Sequence, residues 1–244
     1  MTEQLQCVIL AGGLGARMRP LTERLPKVLL PVAGEPFAHH QLTHLARQGV
    51  REVVLSIGHQ GEQVRAYVGD GSKWGLAVSF LEDGPTLLGT AGALREGLRQ
   101  GLIRSPFLTL YGDSYLPVDQ REVVTAFTAA GAPALMTVYR NSDAWDRSNV
   151  VFGGTRVRLY DKRPGAAVPQ MQHIDYGLSV LTKDPLLRLV PATGAWDLAE
   201  VFHQLSVEGL LAGHEVRQRF YEIGSPAGLA DLEHHLRGRA ASSS

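Results

Sequence analysis

Short apolar runs rich in β-branched residues alternate with amphipathic stretches through residues 1–140. Val8-Ile9-Leu10 reads as a buried strand, and residues 52–57, 77–81, 107–111 and 134–139 as four more. Helix patterns lie between them. Pro36 opens the first, with Phe37, Leu42 and Leu45 on its apolar face and Gly49 at its end; the others cover 60–68, 90–99 and 119–130. Strand–helix alternation at this spacing requires crossover connections and predicts an α/β fold with a mostly parallel, doubly wound sheet. Runs such as VVLSI and FLTLY are apolar without strict alternation, as strands covered on both faces should be.

The second half differs. Residues 149–152 and 155–160 flank Gly153-Gly154 and predict a hairpin, followed by a long strand at 173–181. Helices are expected at 185–190 and 197–207, a strand returning to the sheet at 215–220, and a closing helix at 226–236 with Pro226 at its start. No repeat, low-complexity segment or Pro/Gly/Ser-rich linker divides the chain, so one domain over 1–238 carrying an antiparallel insertion is expected.

Lys+Arg and Asp+Glu both number 24 among 244 residues, a formal charge of zero. That balance argues against nucleic-acid or anionic-membrane partners held by bulk charge, while leaving room for a local basic site. The single Cys7 excludes a disulfide framework and a four-thiolate zinc site, and its apolar setting makes it a core residue. His39-His40 and His234-His235 are adjacent pairs on predicted helices, so their side chains diverge by roughly 100° and lack ligand spacing. The opening residues lack a signal-peptide pattern, and no run approaches the ~20 apolar residues of a membrane span. A soluble cytoplasmic protein with a disordered tail at 239–244 is expected.

The strongest local signal is VILAGGLGARMRPLTERLPKVLLPV, residues 8–32. A buried strand ends in Gly12-Gly13-Leu14-Gly15, where the absent Cβ atoms let backbone N–H groups approach an anion. From Gly12 to Lys27 four basic residues (Arg17, Arg19, Arg24, Lys27) face one acid (Glu23), a local charge of +3. Pro26 restricts the backbone just before Lys27. Backbone donors, a guanidinium and a placed ammonium suit a triphosphate. The string is neither a Walker loop nor a dinucleotide fingerprint, whose third glycine position holds Met18.

LAGGLGARMRPLT…PKVLLPV resembles the signature of sugar-1-phosphate nucleotidylyltransferases over about 25 consecutive residues, with Ala16 where the family has Thr or Ser. Weaker similarity runs along most of the chain. The resemblance implies a Rossmann-like, glycosyltransferase-A-like core, with a nucleotide-binding part over about 1–140 and an antiparallel sugar-binding part over about 141–225. It implies the substrates NTP and sugar 1-phosphate, the products NDP-sugar and pyrophosphate, and Mg²⁺ as cofactor.

The same resemblance assigns roles. Arg17 and Lys27 are the catalytic cations, Arg17 on the β/γ-phosphates and Lys27 between the α-phosphate and the sugar phosphate. Nucleotide contacts fall on Leu10, Ala11, Gly12, Gly13, Gly15, Arg17, Asp113, Gly89 and Thr90, and on Glu82 within Leu81-Glu82-Asp83-Gly84. Glu82, an acceptor when ionised, would favour a base presenting N–H donors, as guanine does; Gly89 and Gly92 also read as helix-start spacers. The metal ligands are Asp113, after a buried strand, and Glu222 in Tyr221-Glu222-Ile223-Gly224-Ser225-Pro226, where the family has Asp; a turn former and a helix-start acid are the plainer alternatives. Sugar-phosphate contacts fall on Asn149, Asp161, Lys162, Asp175, Tyr176 and Gly177, with Arg163 able to exchange roles with Lys162; strand-edge polarity is the alternative for Asn149 and Asp175. Guanylyl transfer to a mannose- or heptose-type 1-phosphate, cytidylyl transfer to phosphocholine or another small phosphate, and a catalytically silent nucleotide-sensing subunit stay open, as do monomer and homo-oligomer.

Overall fold

In the computed structural model, the described residues are 5–241 apart from 14, 83, 85, 86 and 142, and the side chains of 16 and 239–241 are also outside the description. The elements in chain order are β1 (Gln6–Leu10), β2 (Pro31–Val32), β3 (Glu35–Pro36), α1 (Phe37–Arg47), β4 (Glu52–Ile57), α2 (Gly61–Val68), β5 (Ala77–Glu82), α3 (Gly89–Arg99), β6 (Phe107–Tyr111) and β7 (Ser114–Tyr115). There follow α4 (Gln120–Ala130), β8 (Ala134–Arg140), β9 (Val150–Phe152), β10 (Val157–Tyr160), β11 (His173–Leu181), α5 (Lys183–Leu189), α6 (Leu198–Val207), β12 (Leu211–Val216), β13 (Tyr221–Glu222) and α7 (Pro226–Ala241).

Local chemistry sets the helix limits. Asp119 and Asp197 cap α4 and α6, each carboxylate accepting a bond from the backbone N–H two residues on, and Gly131 ends α4 in the left-handed region. β1 pairs in parallel with β4 and β6, and β4 with β5. β11 then joins β6 antiparallel, β8 joins β11 antiparallel, and β12 joins β8 in parallel. The hairpin of β9 and β10 leans on the start of β11 through His173 and Val150.

The sheet is α/β and doubly wound, as the alternation implies, with two differences. The strand at 134–140 does not extend the parallel set beside β6. β11 lies between them, and its apolar half, including Leu178, Val180 and Leu181, is fully buried there. The returning strand is Leu211–Val216 rather than 215–220, because buried Leu211 and Ala212 face buried Ala134 and Leu135, whereas charged Arg217 and Arg219 fall beyond the pairing.

Successive residues of β1 feed opposite cores, as the period of two requires. Cys7 and Ile9 join Leu42 and Leu45 of α1 and Val64 of α2; Val8 and Leu10 join Leu94 of α3 and Phe202 of α6. Burial pushes the Cys7 thiol up to about 12, so it is an inert packing group. β13 pairs antiparallel with β7, and a third apolar cluster of Val32, Phe37, Tyr115, Ile223 and Leu232 pins α7 against that pair. The helix runs past the expected end at 236 to Ala241, into the segment expected to be a disordered tail; residues 242–244 lie outside the described residues. No helix of the described residues is long and apolar enough to cross a membrane.

Candidate active site

The C-terminal ends of β1, β4 and β6 lie side by side, with Leu10 in register with both Ser56 and Tyr111. Ala11 N donates to Ser56 O at 2.8 Å and Gly112 N to Leu10 O at 2.9 Å. There is no room for a side chain at two positions of this floor. A Cβ on Gly112 would stand 2.7 Å from Ala11 Cβ, and one on Gly58 would stand 2.7 Å from Gly12 O. The turn above is held by Gly15 in the left-handed region (φ +61°), whose carbonyl accepts from Met18 N at 2.9 Å and from buried Thr22 Oγ1 at 2.8 Å. Above this floor opens a cleft of about 300 Å³ lined by Leu10, Ala11, Gly12, Gly13, Gly15, Lys27, Gly89, Thr90 and Asp113, all expected from the sequence; Leu14 lies outside the described residues.

Lys27 Nζ donates to Asp113 Oδ2 at 2.8 Å. The pairing of β7 with β13 sets Glu222 opposite Ser114, and Ile223 N donates to Asp113 O at 3.0 Å, so the two carboxylates expected to hold metal converge. Glu222 is open to solvent on one side. Burial on its protein side and then the like charge of Asp113 push its carboxyl up to about 7, against the opposing pull of Arg17 and Lys27. A Cβ added to Gly224 would lie 3.3 Å from Arg17 Nη2 and 3.9 Å from Lys27 Nζ. The missing side chain at 224 therefore leaves space between two cations. Arg17 and Glu222 line a second cavity of about 280 Å³ adjoining the first rather than the first itself.

Two close carboxylates, with no thiolate or imidazole joining them among the described residues, form a hard-oxygen donor set. Among the described residues there is no cluster of three or more His, Cys, Asp or Glu able to cage a metal. That set fits Mg²⁺, which is held by one or two carboxylates and completes its octahedron with water and phosphate oxygens.

On the far wall, Gly89 opens α3 with φ +70°, and a Cβ there would lie 2.5 Å from Trp196 O. Both its dihedral and its packing require glycine. Glu82 does not reach the cleft. It is ion-paired with Arg65, whose guanidinium lies over the Phe80 ring, and it faces a neighbouring groove with His59 and Gly61. Asp83 lies outside the described residues.

The expected sugar-phosphate residues separate into three groups. Asn149 Oδ1 accepts from Asp175 N at 3.0 Å, and Asp175 Oδ1 accepts from Gly177 N at 2.9 Å, so Asn149, Asp175 and Gly177 form one polar step where β11 is irregular. Burial pushes the Asp175 carboxyl up to about 6, against the Gly177 N–H and Lys162. Tyr176 points the other way, 2% exposed, into the core with Tyr139 and Phe220. Asp161 is engaged by both nitrogens of the Arg163 fork, which holds its carboxyl down to about 2, and Arg163 also contacts His203; neither reaches the cleft. Lys162, an exposed residue of this segment, pairs instead with Asp197, its Nζ 3.3 Å from Oδ2.

The nucleotidyl transferase family model matches residues 6–155, more than half of the chain. The chain belongs to the nucleotidyl transferase family. Among curated relatives of this nucleotidyl transferase, the N-acetylmuramate alpha-1-phosphate uridylyltransferase of Neisseria meningitidis is 37% identical over 126 residues, 52% of this chain and 51% of that protein. The D-glycero-alpha-D-manno-heptose 1-phosphate guanylyltransferase of Aneurinibacillus thermoaerophilus is 32% identical over 120 residues, 49% and 50% of the two chains. The chain thus spans about half the length of these curated relatives. A Bacillus anthracis protein assigned as a glucose-1-phosphate thymidylyltransferase, crystallised with sucrose, superposes with a TM-score of 0.82 over 95% of both chains at 20% identity, which supports the fold.

Several residues of the nucleotidyl transferase site escaped the sequence reading. Ser56 and Tyr111 line the cleft at strand ends, a location that the rule placing ligands at the carboxyl ends of parallel strands would have indicated. Gly224 and Asp197 left no such trace: the first matters through space it does not fill, the second through a partner 35 residues away.

Proposed function

We propose that this nucleotidyl transferase joins an NTP to a sugar 1-phosphate, releasing pyrophosphate. The observation that carries the reading is the convergence of Arg17, Lys27, Asp113 and Glu222 around the side-chain-free Gly224, beside a glycine-floored cleft. A phosphate oxygen of the sugar 1-phosphate attacks the α-phosphorus, and the bond from that phosphorus to the bridging oxygen of pyrophosphate breaks. Both reactants are anions, so catalysis consists of alignment and charge neutralisation.

Each residue then has a distinct task. The backbone of Gly12, Gly13 and Gly15 holds the phosphates without a Cβ in the way. Lys27 reaches the α-phosphate and the incoming phosphate together, offsetting their repulsion, and Arg17 grips the β- and γ-phosphates with a planar fork. Asp113 and Glu222 would hold Mg²⁺, whose charge draws electron density from the reacting phosphorus. Lys162 receives the sugar phosphate, while Asn149 and Asp175 face its hydroxyls. Guanylyl transfer to a mannose- or heptose-type 1-phosphate is the specific reaction proposed, supported by the activity of the Aneurinibacillus relative. Uridylyl transfer is the second reading, supported by the activity of the Neisseria relative.

Pyrophosphate release with MgCl₂, screened over ATP, GTP, CTP, UTP and dTTP against mannose, heptose, glucose and N-acetylmuramate 1-phosphates, tests it. Release with GTP and mannose or heptose 1-phosphate is expected. Absence of release with every pair, or failure of any NTP to bind, overturns the proposal.

A further inference from the structure

The segment at 196–198 is clamped to the first turn of α3. Trp196 N donates to Leu88 O at 2.8 Å and Ala91 N to Trp196 O at 2.9 Å, while Leu198 N donates to Thr90 Oγ1 at 2.7 Å. Thr90 Oγ1 in turn donates to Asp197 Oδ1 at 3.1 Å, the oxygen that also caps α6 by accepting from Ala199 N at 2.9 Å. One carboxylate oxygen is therefore fixed twice. Lys162 Nζ straddles the carboxylate, 3.3 Å from Oδ2 and 3.5 Å from Oδ1. Thr90 and Gly89 line the nucleotide cleft, and Lys162 belongs to the segment after β10. Asp197 is thus a rigid bridge between the wall of one substrate cavity and the lysine assigned to the other substrate.

An ammonium carries three donors, so Lys162 can keep one on Asp197 while presenting the others to a phosphate. Its four-carbon stem is flexible, and without the carboxylate it samples many rotamers, an entropy that phosphate binding must then remove. Where Asp197 stands depends on Thr90, hence on how the nucleotide seats against the start of α3.

We propose that Asp197 is a positioning residue that couples occupancy of the nucleotide cleft to capture of the sugar phosphate by Lys162, an inference resting on the function proposed above. Asp197→Asn isolates the charge, because asparagine is an equally good helix cap and keeps an oxygen for Ala199 N and the Thr90 hydroxyl. Calorimetry measures mannose 1-phosphate and heptose 1-phosphate affinity with and without an α,β-methylene NTP, which binds but cannot release pyrophosphate. The wild-type protein is expected to bind the sugar phosphate at least fivefold tighter with the nucleotide analogue present. In Asp197→Asn and in Thr90→Val that ratio falls below twofold. In Asp197→Asn the KM for sugar 1-phosphate rises about fivefold, while the KM for NTP stays within twofold, a split that general loosening of the fold would not produce. Turnover with an unchanged ratio in Asp197→Asn overturns this inference alone; absence of turnover with every sugar 1-phosphate overturns the proposed function and this inference together.

Discussion

Lys27 Nζ and Asp113 Oδ2 stand 2.8 Å apart although 86 residues separate them, and the bond ties the phosphate loop to the end of β6. The loop after β1 and the strand-end carboxylate are thereby one unit. Both partners are mostly covered, so the lysine stem is held in place and keeps little conformational freedom.

Lys27→Ala should lower turnover by roughly 100- to 1,000-fold, the cost of deleting one preorganised charge at a reacting phosphate. Far-UV circular dichroism should be unchanged, because the residue lies at a cleft rim. Wild-type pyrophosphate release in the variant would refute the role.

Metal affinity should depend on pH through Glu222. Its carboxyl is raised to about 7, so below that pH it carries a proton and competes poorly for a cation; the apparent Mg²⁺ affinity should climb as pH rises through 7 and level off above. The stability sign is opposite. A raised folded-state pKa stabilises the fold fully at pH below the ordinary carboxylate value, and that contribution is lost as pH rises to about 7. Glu222→Gln should abolish the pH dependence of metal affinity and raise Tm at pH 8 without metal. Glu222→Asp should keep part of the activity, and Asp113→Asn should lose the Mg²⁺-dependent rate. Magnesium titrations of the rate from pH 6 to 8 would decide it.

Gly89→Ala should damage stability and nucleotide affinity together. A left-handed backbone at a non-glycine residue costs about 1–3 kcal/mol, and the new Cβ would also meet Trp196 O at 2.5 Å. At this size a Tm fall of about 5 °C or more is expected, with a raised KM for NTP. A thermal melt matching wild type would contradict the geometry.

Tyr176→Phe should leave the KM for sugar 1-phosphate as it is. The buried Tyr176 hydroxyl has no hydrogen-bond partner among the described residues, so losing it is neutral or slightly stabilising. A several-fold rise in KM would return Tyr176 to the sugar site that its sequence neighbourhood implied.

The sequence was most legible where a single element carries its own signal. The strands at 52–57, 107–111 and 173–181 fall on the expected residues, because a β-branched run bounded by turn formers needs no distant partner to be recognised. The glycine loop is equally local, and its expected lining residues line the cleft. Long-range pairing was not legible. Nothing near 134–140 announces that β11 will separate it from β6. The opposite facing of Tyr176 from Asp175 and Gly177, by contrast, follows from the period of two of the strand itself. For Asp161 the partner is local: the Arg163 guanidinium two residues on engages its carboxylate.

The two-residue ribbon of β7 and β13 brings together carboxylates 109 positions apart in the chain, Asp113 and Glu222. Ile223, whose backbone N–H is bonded to Asp113, also belongs to the apolar cluster that seats α7. The geometry of the acidic pair is therefore tied to the docking of that helix.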